Sequence, residues 1–228
     1  MPLPSGLKNH QTKNMPLHKT LNFSSSVGTN SKILVWEITE SFDELRAEVV
    51  LNMKNRIRLE GMKSELHQRG FLSVRKLMQE AGYNDLDLYY DDFGKPHLHD
   101  GKHISITHSH HFSAIIISDE IVGIDIELQR EKITRIADKF VDEEFQYLDK
   151  NNPEEYIKKL TVIWGAKEAI FKIRNEKGIS FKDHIKVKAF QLENPELQAE
   201  LYFENEVTNF RIFQEDMDGF GLVFAFQV

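Results

Sequence analysis

Asp125, Glu127, Glu168 and Lys172 are the residues of this sequence whose types and spacing could do chemistry. The first two lie in Gly123-Ile-Asp-Ile-Glu127, the others in Trp164-Gly-Ala-Lys-Glu-Ala-Ile-Phe-Lys172. Side chains alternate faces along an extended strand, so Asp125 and Glu127 project together with Cα atoms roughly 6.6 Å apart, while Val122, Ile124 and Ile126 face the core. Two carboxylates so placed can converge on one ion. On a helix, residues four apart are neighbours, so Trp164, Glu168 and Lys172 form one stripe with a carboxylate beside an ammonium. Either feature alone is ordinary, since exposed sheet faces carry acids and most helical Glu–Lys pairs are weak surface ion pairs. Together they suggest a site for magnesium and phosphate, because magnesium takes one or two carboxylates alongside water and phosphate oxygens. Lys167 and Lys172 would hold the remaining phosphate charge.

The elements that must position these groups can be read from local patterns. Lys32 to Ile38 reads as a strand, and Ser41 followed by Glu44 resembles a capping box opening a helix through about Leu51. From Met62 to Ala81, Leu66, Val74, Leu77 and Met78 share one helical face, with Gly82 as C-cap. The other faces of that helix carry Arg69, Arg75 and Lys76. Leu86–Tyr90, His103–Thr107 and Phe112–Ser118 read as strands, with Asp92-Phe93-Gly94-Lys95-Pro96 as a turn. Ile121–Glu127 is a further strand, followed by two short helices at Ile133–Lys139 and Asp142–Lys150. Pro153 opens a helix running to about Arg174. Beyond Ile185 come antiparallel strands separated by Asn194-Pro195, Asn205-Glu206 and Asp218-Gly219. Strand, helices and antiparallel strands thus occur twice, which predicts an α+β fold of two similar halves. The boundary falls near Asp119, dividing residues 31–119 from 120–228, and sites often form at such seams.

Composition narrows the class. The 228 residues suffice for one large domain or two small ones. With 29 Lys and Arg against 36 Asp and Glu, the formal charge is -7, which argues against broad binding to nucleic acid or anionic membranes. The sequence has no cysteine, so thiolate chemistry and disulfides are excluded. No run approaches the roughly 18 apolar residues of a membrane span, and a cytoplasmic protein is expected. Residues 1–30, rich in Ser, Asn, Lys and Thr, read as a flexible arm. Met15-Pro16-Leu17 repeats Met1-Pro2-Leu3, either as an alternative start or by chance in a biased stretch.

The two chemical segments resemble the signature motifs of the 4′-phosphopantetheinyl transferases, of the larger surfactin-synthetase-activating type. Gly94-Lys95-Pro96, Ile104-Ser-Ile-Thr-His-Ser109 and Phe140-Val-Asp-Glu-Glu144 resemble further family motifs in the expected order, so the likeness covers roughly residues 32–190. The resemblance implies an α+β pseudodimer with helices packed on a small antiparallel sheet in each half and coenzyme A in the seam. It implies Asp125, Glu127 and Glu168 as magnesium ligands, and Lys172 as a contact to the coenzyme A diphosphate that assists the leaving group. Glu127 or Glu168 would deprotonate the incoming serine. Lys95, Pro96 and His108, with backbone groups of Thr107 and Ser109, would hold the nucleotide, joined by Lys167 and by Arg69 and Arg75 of the basic helix. The implied reaction moves 4′-phosphopantetheine from coenzyme A to a serine of an acyl or peptidyl carrier protein and releases adenosine 3′,5′-bisphosphate. The implied protein is a monomer.

Thr107-His108-Ser109 departs from the family's Ser-His-Ser but keeps a hydroxyl before the histidine. Six of the ten histidines lie between His97 and His111, and His97/His99 and His108/His110 have the i, i+2 spacing of strand metal ligands. A zinc hydrolase built on them is one alternative reading. A coenzyme A-binding scaffold without catalysis is another, although such a protein has no need of the full Asp125, Glu127, Glu168 and Lys172 set. Carrier docking is expected at local basic and apolar residues near the seam, including the Lys177–Lys182 loop.

Overall fold

The computed structural model describes residues 17–24 and 29–228. Most of the expected arm lies outside the described residues, but Leu17–Ser24 does not behave as an arm. It forms strand β1, antiparallel to β2 at Asn30–Glu37, with Thr20 opposite Leu34 and Phe23 opposite Ser31. The physical reason is apolar: Leu21 and Phe23 face a buried layer, where the Phe23 ring lies 5.3 Å from Phe226.

Helix α1 (Phe42–Glu48) begins at the expected capping box, with the Ser41 hydroxyl accepting from the Glu44 amide and the Glu44 carboxylate from the Ser41 amide. It ends sooner than expected because Val49 is already extended. Asn52 caps a further helix, α2 (Met53–Glu60), that the sequence pattern had not separated. Helix α3 spans Glu65–Glu80 and closes through Ala81, with Gly82 at φ +89° supplying the left-handed turn. Then follow β3 (Leu88–Tyr90), β4 (Pro96–Leu98), β5 (His103–Ser109), β6 (Phe112–Ser118) and β7 (Val122–Leu128). The two short helices expected next are 3-10 turns at Glu131–Lys139 and Glu143–Tyr147. Helix α4 (Pro153–Arg174) starts at Pro153 and stops at Asn175, whose φ of 51° is left-handed. Helix α5 (Phe181–His184) precedes β8 (Ile185–Val187), β9 (Glu196–Phe203), β10 (Glu206–Met217) and β11 (Phe220–Gln227).

The fold is α+β. Every described strand pairing is antiparallel, in a four-stranded sheet ordered β1-β2-β6-β5, a five-stranded sheet ordered β7-β11-β10-β9-β8, and the small pair β3-β4. Strand alternation sends Leu34, Trp36, Ile115 and Ile117 toward α1 and α3, and Ile33, Val35, Ala114 and Ile116 toward the second sheet. There they meet Val122, Ile124, Ile126, Leu222 and Phe224. The opposite face of the second sheet packs on α4 through Leu160, Ile163, Ala166 and Ile170. Among the described residues, no helix is long and apolar enough to cross a membrane.

Candidate active site

The site begins where two sheet edges face each other. β5 ends one sheet and β7 ends the other, and unpaired edge amides inside a protein need partners. Side-chain hydroxyls supply them. The Ile124 amide donates to Ser105 Oγ at 3.1 Å and the Ile126 amide to Thr107 Oγ1 at 3.3 Å. Ser105, Thr107 and Ser109 are two apart, so all three hydroxyls project from the same face of β5 and all three residues are buried. The next two contacts reach carboxylates: Thr107 Oγ1 donates to Asp125 Oδ1 at 3.0 Å and Ser109 Oγ to Glu127 Oε2 at 3.1 Å.

With Ile124 and Ile126 committed to the inter-sheet layer, Asp125 and Glu127 must face α4. Two glycines let the helix come close. A Cβ on Gly123 would stand 2.0 Å from the Ala169 carbonyl oxygen, and one on Gly165 would stand 2.9 Å from Val223 Cγ2. Backbone approach of this kind is what glycine permits. It places Lys172 Nζ 2.8 Å from Asp125 Oδ1 and 2.8 Å from the Ile124 carbonyl. Asp125 Oδ1 therefore accepts two hydrogen bonds, whereas Oδ2 is buried with no partner among the described residues. An unmet buried carboxylate oxygen is costly unless a cation or donor completes it.

The electrostatics agree. Burial, then the charges of Asp125 and Glu127, push the Glu168 carboxyl up to about 7, against a counter-effect from Lys172. Burial and Asp125 also raise Glu127, opposed by the Ser109 hydrogen bond, Arg130 and Lys172. Carboxylates that raise one another's pKa form a pocket of excess negative charge. Among the described residues no three His, Cys, Asp or Glu side chains form a ready-made metal group. Asp125 is engaged by Lys172 instead.

Beside this acidic seam lies a cavity of about 460 Å³. Its floor comes from α3 (Gly70, Phe71, Val74, Arg75) and β5 (Ile104, Ser105, Ile106, His108), and its rim from Arg58, Tyr90, Lys95 and Lys172. The described lining holds four permanent cations and no carboxylate, a concentration of positive charge in a chain of net charge -7. Arg75 is buried, its Nε donating to Asp85 at 3.1 Å and its guanidinium 3.5 Å from the Phe71 ring centre, while Nη2 has no partner among the described residues. Burial lowers its pKa against the pull of Tyr90 and Asp85. Lys95 Nζ donates to the Ile173 carbonyl at 2.5 Å, and burial lowers its pKa. His108 packs on Gly70, where an added Cβ would stand 2.7 Å from its ring. The surrounding protein, His67 and Lys172 all depress its pKa.

Several expected residues lie elsewhere. Lys167 is corrected: it is fully buried, paired to Glu144 at 2.6 Å and donating to the Phe140 and Phe181 carbonyls, because its position on α4 turns it away from Glu168 into the core. Arg69 donates to the Ile38 carbonyl at 3.0 Å and takes no part in the cavity lining. Thr107 and Ser109 engage the carboxylates and also lie outside the lining, which contains Pro96. His97 pairs with Asp91 at 2.9 Å, and His97 and His99 both stack on Tyr89. Sequence reasoning missed Arg58, Tyr90 and His67. It also missed Ser105, although the alternation of hydroxyls at 105, 107 and 109 was a readable signal.

Residues 121–221 match the family model of the 4′-phosphopantetheinyl transferase superfamily. The 4′-phosphopantetheinyl transferase gsp of Aneurinibacillus migulanus is 27% identical over 152 residues, covering 65% of this chain and 62% of the relative. The match thus spans less than two thirds of that relative's length. The matched segment contains β7, α4, Asp125, Glu127, Glu168 and Lys172 together, and it is in this segment that the chain is similar to the 4′-phosphopantetheinyl transferase superfamily.

Proposed function

We propose that this protein transfers the 4′-phosphopantetheine group of coenzyme A to a serine of an acyl or peptidyl carrier protein, releasing adenosine 3′,5′-bisphosphate. The observation that carries the reading is the junction at Lys172, which lines the carboxylate-free cationic cavity and also pairs with Asp125. A polyanionic nucleotide fits the first surface and the reacting diphosphate the second. Arg58, Arg75, Lys95 and His108 would bind the nucleotide phosphates, and Phe71 and Tyr90 would flank its apolar parts. Lys172 would neutralise charge growing on the leaving oxygen, and Glu127 or Glu168 would accept the serine proton, a role favoured for a carboxyl poised near neutral pH.

The donor set fits magnesium. It consists of hard carboxylate oxygens, one of them the unpartnered Asp125 Oδ2, and their mutual repulsion would be relieved by a cation. Asp125, Glu127 and Glu168 would hold the ion, which when bound supplies Lewis-acid stabilisation of the diphosphate. Two sheets, each with its own helical cover, support the larger family type, a pseudodimer of residues 31–119 and 120–228; the protein so proposed is a cytoplasmic monomer. The carrier would dock near Lys177 and Lys182, and charge reversal at both that left carrier affinity untouched would remove that placement. Incubation with coenzyme A, magnesium and several apo carriers, read by intact-protein mass spectrometry, tests the reaction. A mass gain is expected, and no gain on any carrier overturns it.

A further inference from the structure

We infer that Thr107 and Ser109 are positioning residues that decide which oxygens of Asp125 and Glu127 are offered to a divalent cation. The inference rests on the reading of those carboxylates as cation ligands.

A hydroxyl donates only once. Thr107 Oγ1 already accepts the Ile126 amide at 3.3 Å, so its single O–H is left for Asp125 Oδ1, at 3.0 Å. Lys172 takes the same Oδ1 at 2.8 Å. Two donors on one oxygen lock the carboxylate's rotation and leave Oδ2, buried and unpartnered among the described residues, as the oxygen free to bind. Ser109 treats Glu127 alike. Its Oγ donates to Oε2 at 3.1 Å and also lies 3.2 Å from His110 Nδ1, so with the O–H committed to Glu127 the histidine must be the donor. Residue His110 sits in the left-handed region at φ 53°, at the turn between β5 and β6. Both hydroxyls come from the first sheet and both carboxylates from the second. The seam therefore sets the ligand geometry, and holding the sheets together is only part of what these side chains do. Hydrogen bonds to ligating carboxylates commonly change metal affinity by about 10–100-fold.

The test uses Mn²⁺ alone as the probe, titrated into the full chain and followed by the electron paramagnetic resonance signal of the free ion, with melting temperature measured in parallel. Thr107→Val, which keeps the shape but deletes both the donor to Asp125 and the acceptor of the Ile126 amide, should weaken Mn²⁺ binding by about 10-fold or more. Thr107→Ser should restore it to within about twofold of the parent chain, a rescue that a threonine acting only through its methyl group would not show. Ser109→Ala should weaken binding independently, which keeps the inference testable if Thr107→Val fails to fold. Folded Thr107→Val and Ser109→Ala proteins that bind Mn²⁺ like the parent chain would overturn the inference, and so would a parent chain that binds no Mn²⁺. A parent chain that binds Mn²⁺ but transfers nothing to any carrier would sink the proposed reaction and leave this inference standing.

Discussion

Two of the lysine–carboxylate pairs on helix α4 face opposite ways. Lys167 and Glu144 are 2.6 Å apart, with side chains 0% and 1% exposed. Lys172 and Asp125 are 2.8 Å apart, with side chains 27% and 6% exposed. In the first pair every group is satisfied. Lys167 also donates to two carbonyls, and Glu144 accepts from the Asp142 and Val187 amides. In the second, Asp125 Oδ2 is left without a partner among the described residues, and Lys172 opens onto the cavity. Residue type does not separate them. A complete hydrogen-bond shell is what a fold-building pair requires, whereas the incomplete one beside the cavity leaves a polar atom that a ligand could satisfy.

The contrast can be broken first at its structural end. Lys167→Ala should destabilise the protein by about 3–5 kcal/mol in urea unfolding, because Glu144 would stay buried and unpaired. Coenzyme A affinity of the folded fraction should be unchanged, and a tenfold loss there would erase the distinction. At the functional end, Glu168→Ala should lower transfer by about 10²–10⁴-fold with far-ultraviolet circular dichroism intact, the scale of losing a general base. Near-normal turnover would overturn the assignment of Glu168. Lys172→Ala should weaken coenzyme A binding in calorimetry by the about 1.5–3 kcal/mol of a charge-assisted contact, with less loss of stability than Lys167→Ala.

The smallest effect should be a gain. The folded Glu168 pKa of about 7 stands above the ordinary 4.5, so the folded state holds more protons between those values and loses stability as pH rises through them. Glu168→Gln should therefore raise the stability of the metal-free protein at pH 8 by about 1–2 kcal/mol, below the full value of the shift because the site is partly solvated. At pH 5, where the native carboxyl is already neutral, the gain should vanish in a thermal melt. A stabilisation equal at both pH values would mean that charge repulsion is not its cause.

Much of the fold was legible because its signals are local. The capping box at Ser41, Pro153 at the start of α4 and the turn residues near Asn194, Asn205 and Asp218 each act through backbone geometry within a few residues. The strand β1 was hidden because only Leu17, Leu21 and Phe23 mark it, and the aromatic partners of Phe23 lie far along the chain in β10 and β11. Helix α2 was hidden because Met53 and Ile57 are exposed, so its buried face shows little apolar pattern. Within the site, the pairing of Asp125 with Glu127 followed from strand alternation. The roles of Lys167 and Arg69 did not follow from their charge, since either could have faced phosphate.

The sequence by itself determined which carboxylates share a strand face, that Glu168 and Lys172 share a helix face, and that glycines stand at 123 and 165. These depend on the periodicity of one chain segment. Only the tertiary structure decided that Gly123 lets α4 press on β7, and that Thr107 and Ser109 reach across from another sheet to Asp125 and Glu127. It likewise turned Lys167 into the core and Lys172 to the cavity. The reason is physical: each outcome depends on which distant segment lies within hydrogen-bond reach, and local periodicity carries no record of that.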